Sequence, residues 1–462
     1  MPRWVLPLVL AAMCAGSTTA ALRSPPVGSD AARPALRAPV LSARRVPVFL
    51  ARTVADTRLR SDLDAALAQP ALGPARDRSC LVVHQGPRRV LERRAEELLI
   101  PASNLKILTA LAVLRRIGPD ERLVTQVLAG GHVAAGVVDG PLWLVGGGDP
   151  LLGTADYAAS FENQPRTRTP LEGLADAVVA AGVRVVNGGV VGDETRYDTQ
   201  RYVPSWKPGY ITDSETGPAS ALVVNDGFME FSPRHVAAAE PGAHAAGVLS
   251  ALLQARGVTV NGGPGEGQAP AGSPVVAKVE SPPVRDVVAE MLRESDNLTA
   301  ELLVKELGRR FAGAGTTAAG LGVVRETLAQ TGLPVAQLAS VDGSGLDRSD
   351  RASCSLLMAA LDQSGPTGLV ASAFPVAGKD GTLAKRFQGS PAAGRLRAKT
   401  GSLDGVVGLS GYVDAPSGGV PLEFSLLVND LPRDALGRAL QELVGAILAR
   451  YPDAPAPEAL AP

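Results

Sequence analysis

Ser103 and Lys106 stand three residues apart in Pro101-Ala-Ser-Asn-Leu-Lys106, just ahead of the apolar run Ile107 to Val113. On a helix that spacing puts two side chains on one face, one turn apart, so an amine faces a hydroxyl. A serine hydroxyl attacks an acyl carbon near neutral pH only when a base takes its proton. Lysine serves as that base when desolvation or a neighbouring cation lowers its pKa. Alone, the pair has a plain structural reading, with Ser103 capping the helix and Lys106 solvated in its first turn. Two later stretches change the weighing: Ser295-Asp296-Asn297 before the helical pattern Leu298 to Leu307, and Lys399-Thr400-Gly401.

Each supplies a part that acyl transfer through serine needs. The Ser295 hydroxyl can relay a proton to a leaving amine, and Asn297 can hold a substrate amide or steady Lys106. Lys399 brings a cation that attracts a substrate carboxylate and makes Lys106 less basic by repulsion, while the Thr400 and Ser402 hydroxyls can bond that carboxylate. Gly401 lets a substrate backbone approach the strand. The amides of Ser103 and Ser402 are the expected oxyanion donors. Seen singly, Ser295 reads as a helix cap and Lys399 as an exposed strand residue; Lys379-Asp380-Gly381-Thr382 shows how easily a look-alike arises.

The elements that must position these groups follow from periodicity. Ser79 to Gln85 and Arg89 to Arg94, parted by Gly86 and Pro87, form a hairpin leading to the Ser103 helix; Arg60 to Leu67 is a short helix before it. From Gly118 to Val276 short apolar stretches are divided by glycine, with helices at Leu171 to Ala181 and His244 to Arg256, which reads as one or two inserted domains. Gly146-Gly-Gly-Asp-Pro150 lacks the lysine and following helix of a phosphate loop and reads as a turn. Val284, Val287, Val288, Met291 and Leu292 predict a helix ending at Ser295, followed by one from Asn297 to Phe311. A tight turn at Asp342 to Gly345, a helix from Ser353 to Leu361, strands at 396–400, 406–413 and 421–429, and a closing helix from Ala435 to Tyr451 complete the chain. A main body of residues 56–117 and 277–455, with 118–276 inserted, results.

The sequence has 462 residues, 20% of them charged, and a formal net charge of -1, so no basic surface argues for nucleic acid. Met1 to Ala20 reads as a secretory signal: Arg3, the apolar run Trp4 to Met13, then Thr18-Thr19-Ala20 with cleavage expected near Ala20. Its apolar core is too short to serve as a stable transmembrane anchor. Met13 occupies the place where a lipoprotein signal has a small residue, which argues against a lipid tether at Cys14. Residues 21–55 form an extended leader. Cys80 and Cys354 remain, either bridged or separate buried thiols. His84, His132, His235 and His244 are scattered, which argues against a zinc site or a histidine triad; no metal or cofactor is called for.

The trio, with Gly146-Gly-Gly-Asp-Pro150, Asn225-Asp-Gly227, Asp342-Gly-Ser-Gly-Leu346 and Asp380-Gly-Thr-Leu383, resembles the D-alanyl-D-alanine carboxypeptidase/endopeptidase family, the class C low-molecular-mass penicillin-binding proteins, over roughly Leu59 to Tyr451. The long interval between the first two motifs separates it from class A β-lactamases. The resemblance implies an α+β fold like that of penicillin-binding proteins and serine β-lactamases, an antiparallel sheet flanked by helices with smaller α/β domains inserted. It implies an exported enzyme that removes a terminal D-alanine from peptidoglycan peptides, also cleaves cross-links, and is acylated by β-lactams at Ser103. It also implies a pocket for a diaminopimelate-type side chain, involving Arg348 and an acid in the insertion, with Asp193 and Asp198 as candidates. Two other readings stay open: a serine β-lactamase, and a catalytically weak cell-wall binding or scaffold protein.

Overall fold

Residues 46–416 and 418–460 are described in the computed structural model of the chain. The signal segment, its cleavage point and Cys14 lie outside them, as does most of the leader. The described part of that leader is not extended, because helix α1 runs Val46–Leu67 and includes it. Residues 46–52 and 455–460 belong to a separate small unit, whose described parts are the start of α1 and a short 3-10 turn; Thr53–Ala454 forms the main unit. Within the main unit Ala55, Leu59, Leu63 and Ala66 recur at helical spacing and are buried.

Strands β1 (Ser79–Gln85) and β2 (Arg88–Arg93) form the expected hairpin. A single 3-10 turn, Ala102–Asn104, carries Ser103 and runs into helix α2 (Leu105–Arg116), so Ser103 sits just ahead of the α-helix. The next stretch builds a layered structure of its own. Strands β3 (Val124–Ala129) and β4 (Leu142–Val145), helix α3 (Leu171–Ala180), strand β5 (Val190–Asp193), helix α4 (Pro241–Gln254) and strands β6 (Gly265–Glu266) and β7 (Val275–Glu280) give a mixed sheet in the order β6-β5-β4-β3-β7. Val127, Leu144, Leu174, Val178 and Leu249 meet in its core. This stretch leaves and returns at one clasp: Ser281 N–H donates to the Leu123 carbonyl (2.8 Å), and the Leu123 N–H donates to Ser281 Oγ (2.9 Å).

Helices α5 (Val284–Glu294), α6 (Asn297–Phe311), α7 (Thr317–Gln330) and α8 (Cys354–Ser364) follow, then strands β8 (Leu396–Leu403), β9 (Val406–Val413) and β10 (Leu422–Val428) and helix α9 (Asp434–Arg450). The main sheet is antiparallel throughout, in the order β8-β9-β10-β1-β2. Alternation along β1 shows why both its faces are covered. Cys80 and Val82 face the core with α2, α5, α6, α7 and α8, whereas Leu81 and Val83 face α1 and α9. Cys80 and Cys354 are bridged, which joins β1 to the start of α8 and resolves the choice that the sequence left open. The architecture is the expected α+β class, an antiparallel sheet between helical layers.

Candidate active site

The Ser103 turn rests on a bare strip of the sheet. Gly401 of β8 pairs with Gly408 of β9, and a Cβ on either would lie 2.6 Å or 2.2 Å from Asn104 Nδ2. Real Cβ atoms do not approach so closely, so both positions need glycine for the turn to seat. On the other side Gly345, with φ of +84°, packs against the Ala102 carbonyl, where a Cβ would come within 2.0 Å. Ala102 itself takes a φ of 47°, a left-handed value that costs a non-glycine residue on the order of 1 kcal/mol.

Lys106 is fully buried, and its Nζ meets three oxygens: Ser103 Oγ at 3.1 Å, Asn297 Oδ1 at 2.6 Å and the Ser344 carbonyl at 2.7 Å. Asn297 is the first residue of α6, which Asp296 caps by accepting from the Thr299 N–H (3.1 Å). The Asn297 Nδ2 donates to the Glu215 carbonyl (2.7 Å), and since that carbonyl only accepts, it fixes the Oδ1 end toward Lys106. Burial brings the Lys106 amine down to about 8, against the opposing pull of the Asp342, Glu301, Asp296 and Glu215 carboxylates. The leading cause is thus desolvation, the first of the two causes that the sequence allowed.

Ser295 closes α5 in a left-handed conformation (φ 64°), a place where glycine is usual, and its Oγ accepts from Lys399 Nζ at 2.8 Å. Lys399 is also fully buried and donates to the Thr400 carbonyl (2.8 Å). Burial pulls it well below its ordinary value, and the charge of Lys106 adds to that. The Thr400 hydroxyl donates to Thr382 Oγ1 (3.0 Å), so the look-alike stretch beginning at Lys379 contributes a hydroxyl to the same place.

Ser103, Ser295, Asn297, Thr400 and Ser402 all line one cavity of about 1110 Å³. Glu215, Asp226, Glu294 and Asp296 line it too, with Arg166, Arg386 and Arg438. β8 is an edge strand. The Ala398 N–H donates outward to the Pro375 carbonyl, so by the two-residue period the Thr400 and Ser402 N–H groups also point off the sheet edge.

Other expected positions lie elsewhere. Arg348 donates to the carbonyl of Asp404, a cavity-lining residue (2.8 Å), and is not itself among the lining residues. Neither Asp193 nor Asp198, the candidates for an acid of the insertion, lines the cavity. The first accepts from the Thr195 and Ala269 amides, and the second is ion-paired with Lys305, so both are committed structurally. Glu215, Ser344 and Thr382 were missed; the only sequence signals were the turn at Asp342 to Gly345 and the look-alike motif.

Residues 59–235 and 230–450 match the model of the D-Ala-D-Ala carboxypeptidase 3 (S13) family. The chain is 31% identical to a D-alanyl-D-alanine carboxypeptidase of an Actinomadura species, over 87% of this chain and 86% of that one. It is 30% identical to carboxypeptidase DacB of Mycolicibacterium smegmatis, again over 87% and 86%. Penicillin binding protein 4 (dacB) of Haemophilus influenzae has a similar fold, with a TM-score of 0.69 and 20% identity over 80% of this chain and 95% of that chain.

Proposed function

The chain belongs to the D-Ala-D-Ala carboxypeptidase 3 (S13) family, and on that footing we propose that it is an exported serine carboxypeptidase/endopeptidase that acts on peptidoglycan peptides through an acyl-Ser103 intermediate. The observation that carries this reading is the three-way contact of Lys106 Nζ with Ser103 Oγ, Asn297 Oδ1 and the Ser344 carbonyl. A neutral lysine has two N–H bonds and one lone pair. Two of its neighbours can only accept, so both N–H bonds go to them and the lone pair faces the Ser103 hydroxyl. Burial makes the neutral form accessible near pH 8.

Lys106 takes the Ser103 proton as Oγ bonds to the carbonyl carbon of the penultimate D-alanine. The oxygen of that carbonyl becomes an oxyanion facing the Ser103 and Ser402 amides. Collapse re-forms the carbonyl and breaks the C–N bond. The Ser295 O–H is free for the leaving nitrogen because Lys399 already donates to the Ser295 oxygen; the proton held by Lys106 makes good the one that Ser295 gives up. In deacylation water adds to the ester carbon while Lys106 takes its proton. The ester C–O bond then breaks and Ser103 Oγ recovers a proton. Lys399, Thr400 and Ser402 receive the terminal carboxylate of the substrate, and the free amides of the β8 edge take its backbone.

A cavity of about 1110 Å³ with acids and arginines in its wall suits a long, multiply charged peptide better than a bare dipeptide. Export rests on the N-terminal segment and is supported by the Cys80–Cys354 bridge, a bond that persists in oxidising compartments. Penicillin binding protein 4 of Haemophilus influenzae, similar in fold, has been solved in complex with a β-lactam, and on this reading β-lactams are covalent inhibitors of this chain. Incubation with a fluorescent penicillin tests the reading. A single covalent adduct is expected on the wild type and none on Ser103→Ala; an undiminished adduct on the variant removes Ser103 from the mechanism.

A further inference from the structure

Glu301 is fully buried one turn after Asn297 on α6, between Ala300, Leu302 and Leu303, where an apolar side chain would pack at lower cost. Its Oε1 accepts from two consecutive peptide groups, the Gly343 N–H at 2.9 Å and the Ser344 N–H at 2.8 Å. The same turn is held at other points. Thr109 Oγ1 donates to the Gly343 carbonyl (2.8 Å), and Asp342 accepts from the Gly345 N–H (2.6 Å), the Asp347 N–H (2.7 Å) and Trp206 Nε1 (2.8 Å). The turn delivers one group to the site, the Ser344 carbonyl that accepts from Lys106 Nζ. Helix α6 therefore reaches Lys106 twice, directly through Asn297 and indirectly through Glu301.

We infer that Glu301 is a positioning residue for Lys106: by gripping the Gly343 and Ser344 amides it sets the Ser344 carbonyl at the place that aims the amine at Ser103. This rests on the reading of Lys106 as the base. If the grip is lost, two buried N–H groups lack an acceptor, the Ser344 peptide turns, and Lys106 keeps only one fixed acceptor. The amine is then free to rotate its lone pair away from Ser103. The grip needs an acceptor oxygen, not a charge. Burial, with the Asp342 carboxylate second, pushes the Glu301 carboxyl up to about 8, and an amide oxygen accepts from the same two N–H groups. The charged groups that bear on this cluster are Asp342 and Asp350 on the turn side and Lys106, Asp296 and Glu215 on the cavity side.

The test follows Ser103 acylation by a fluorescent penicillin, with kcat and KM for D-alanine release, from about pH 6 to 9. Wild type, Glu301→Ala, Glu301→Gln and Thr109→Val are compared, each with a thermal melt. Glu301→Ala is expected to acylate about ten- to hundredfold more slowly with KM little changed, since small misplacements of a reacting group cost rates of that order. Glu301→Gln is expected within about threefold of wild type in the plateau rate, with the acid limb in place or moved to lower pH, since the Glu301 carboxylate opposes the fall in the Lys106 pKa. Thr109→Val, which frees the other side of the same turn, is expected to slow acylation in the same direction as Glu301→Ala. A folded Glu301→Ala that acylates like wild type overturns the inference, and so does a Glu301→Gln as slow as Glu301→Ala or with its acid limb moved to higher pH. Should Glu301→Ala not fold, an unchanged rate in Thr109→Val overturns it. A wild type that forms no adduct brings down the nucleophile assignment and this inference together, which separates the two failures.

Discussion

Changing the pH during acylation should change the rate in proportion to neutral Lys106. With its amine brought down to about 8 by burial, the neutral fraction is about 1% at pH 6, about 9% at pH 7 and about half at pH 8. A lysine with the ordinary value would be only about 0.03% neutral at pH 7, so burial is worth about 300-fold in available base. The sign is fixed by chemistry, since only the unprotonated amine accepts the Ser103 proton, so the rate rises with pH. At saturating fluorescent penicillin the acylation rate constant should climb about tenfold from pH 6 to 7 and level off above about 8. If Lys399 offers its charge to the substrate carboxylate as proposed, its neutralisation should lower the apparent affinity rather than the saturated rate, at a pH well below the ordinary lysine value. Rapid-quench gels with fluorescence readout separate the two. A saturated rate that is flat from about pH 6 to 9, or that keeps rising beyond about pH 10, refutes the assignment of Lys106 as the base.

Further outcomes follow from other contacts. Asn297→Asp sets a negative charge in contact with Lys106, which should raise its pKa and move the acid limb of the same profile to higher pH; an unmoved limb counts against direct contact. Gly408→Ala would put a Cβ 2.2 Å from Asn104 Nδ2 and 3.0 Å from Leu427 Cδ2. The displaced Ser103 turn should lower acylation at least about tenfold with a stability loss of about 1–3 kcal/mol, measured by labelling and urea denaturation. Breaking the Cys80–Cys354 bridge, which spans 274 positions, should cost up to about 5 kcal/mol by removing a constraint on the unfolded chain. A Cys80→Ser/Cys354→Ser variant should melt lower yet still be labelled by penicillin at 25 °C, because neither cysteine lines the cavity.

The parts of the fold that local pattern dictates were legible. Helix α6 occupies the span predicted from its cap and periodicity, and β9 occupies the span read from its apolar run. Helix α7 was not anticipated. Its Thr, Ala and Gly content gives little periodic signal, and it is fixed instead by close packing, with a Cβ on Gly320 falling 1.9 Å from the Val304 carbonyl. In the site, the three motifs could be read because they are side-chain chemistry at fixed spacing. The Ser344 and Glu215 carbonyls could not, since every residue has one and only the fold decides which meets Lys106 and which meets Asn297. The surroundings of Asp193 and Asp198 could not be read either, because a sequence does not say where a carboxylate points; one accepts from the Thr195 and Ala269 amides and the other pairs with Lys305. Cys80 and Cys354 left their pairing open because it depends on a Cα separation of 6.0 Å that nothing local encodes.

The clasp between Leu123 and Ser281 has a consequence for how the enzyme comes into being. The stretch between them holds its own apolar centre, so it can consolidate while the remainder is still being translated. Lys106 must meanwhile wait for Asn297, synthesised 191 positions later, and Ser295 for Lys399 another 104 on. A nascent chain thus carries Ser103 for most of its synthesis without the neighbours that surround it in the fold, and gains the last of them only when the final strands of the sheet arrive.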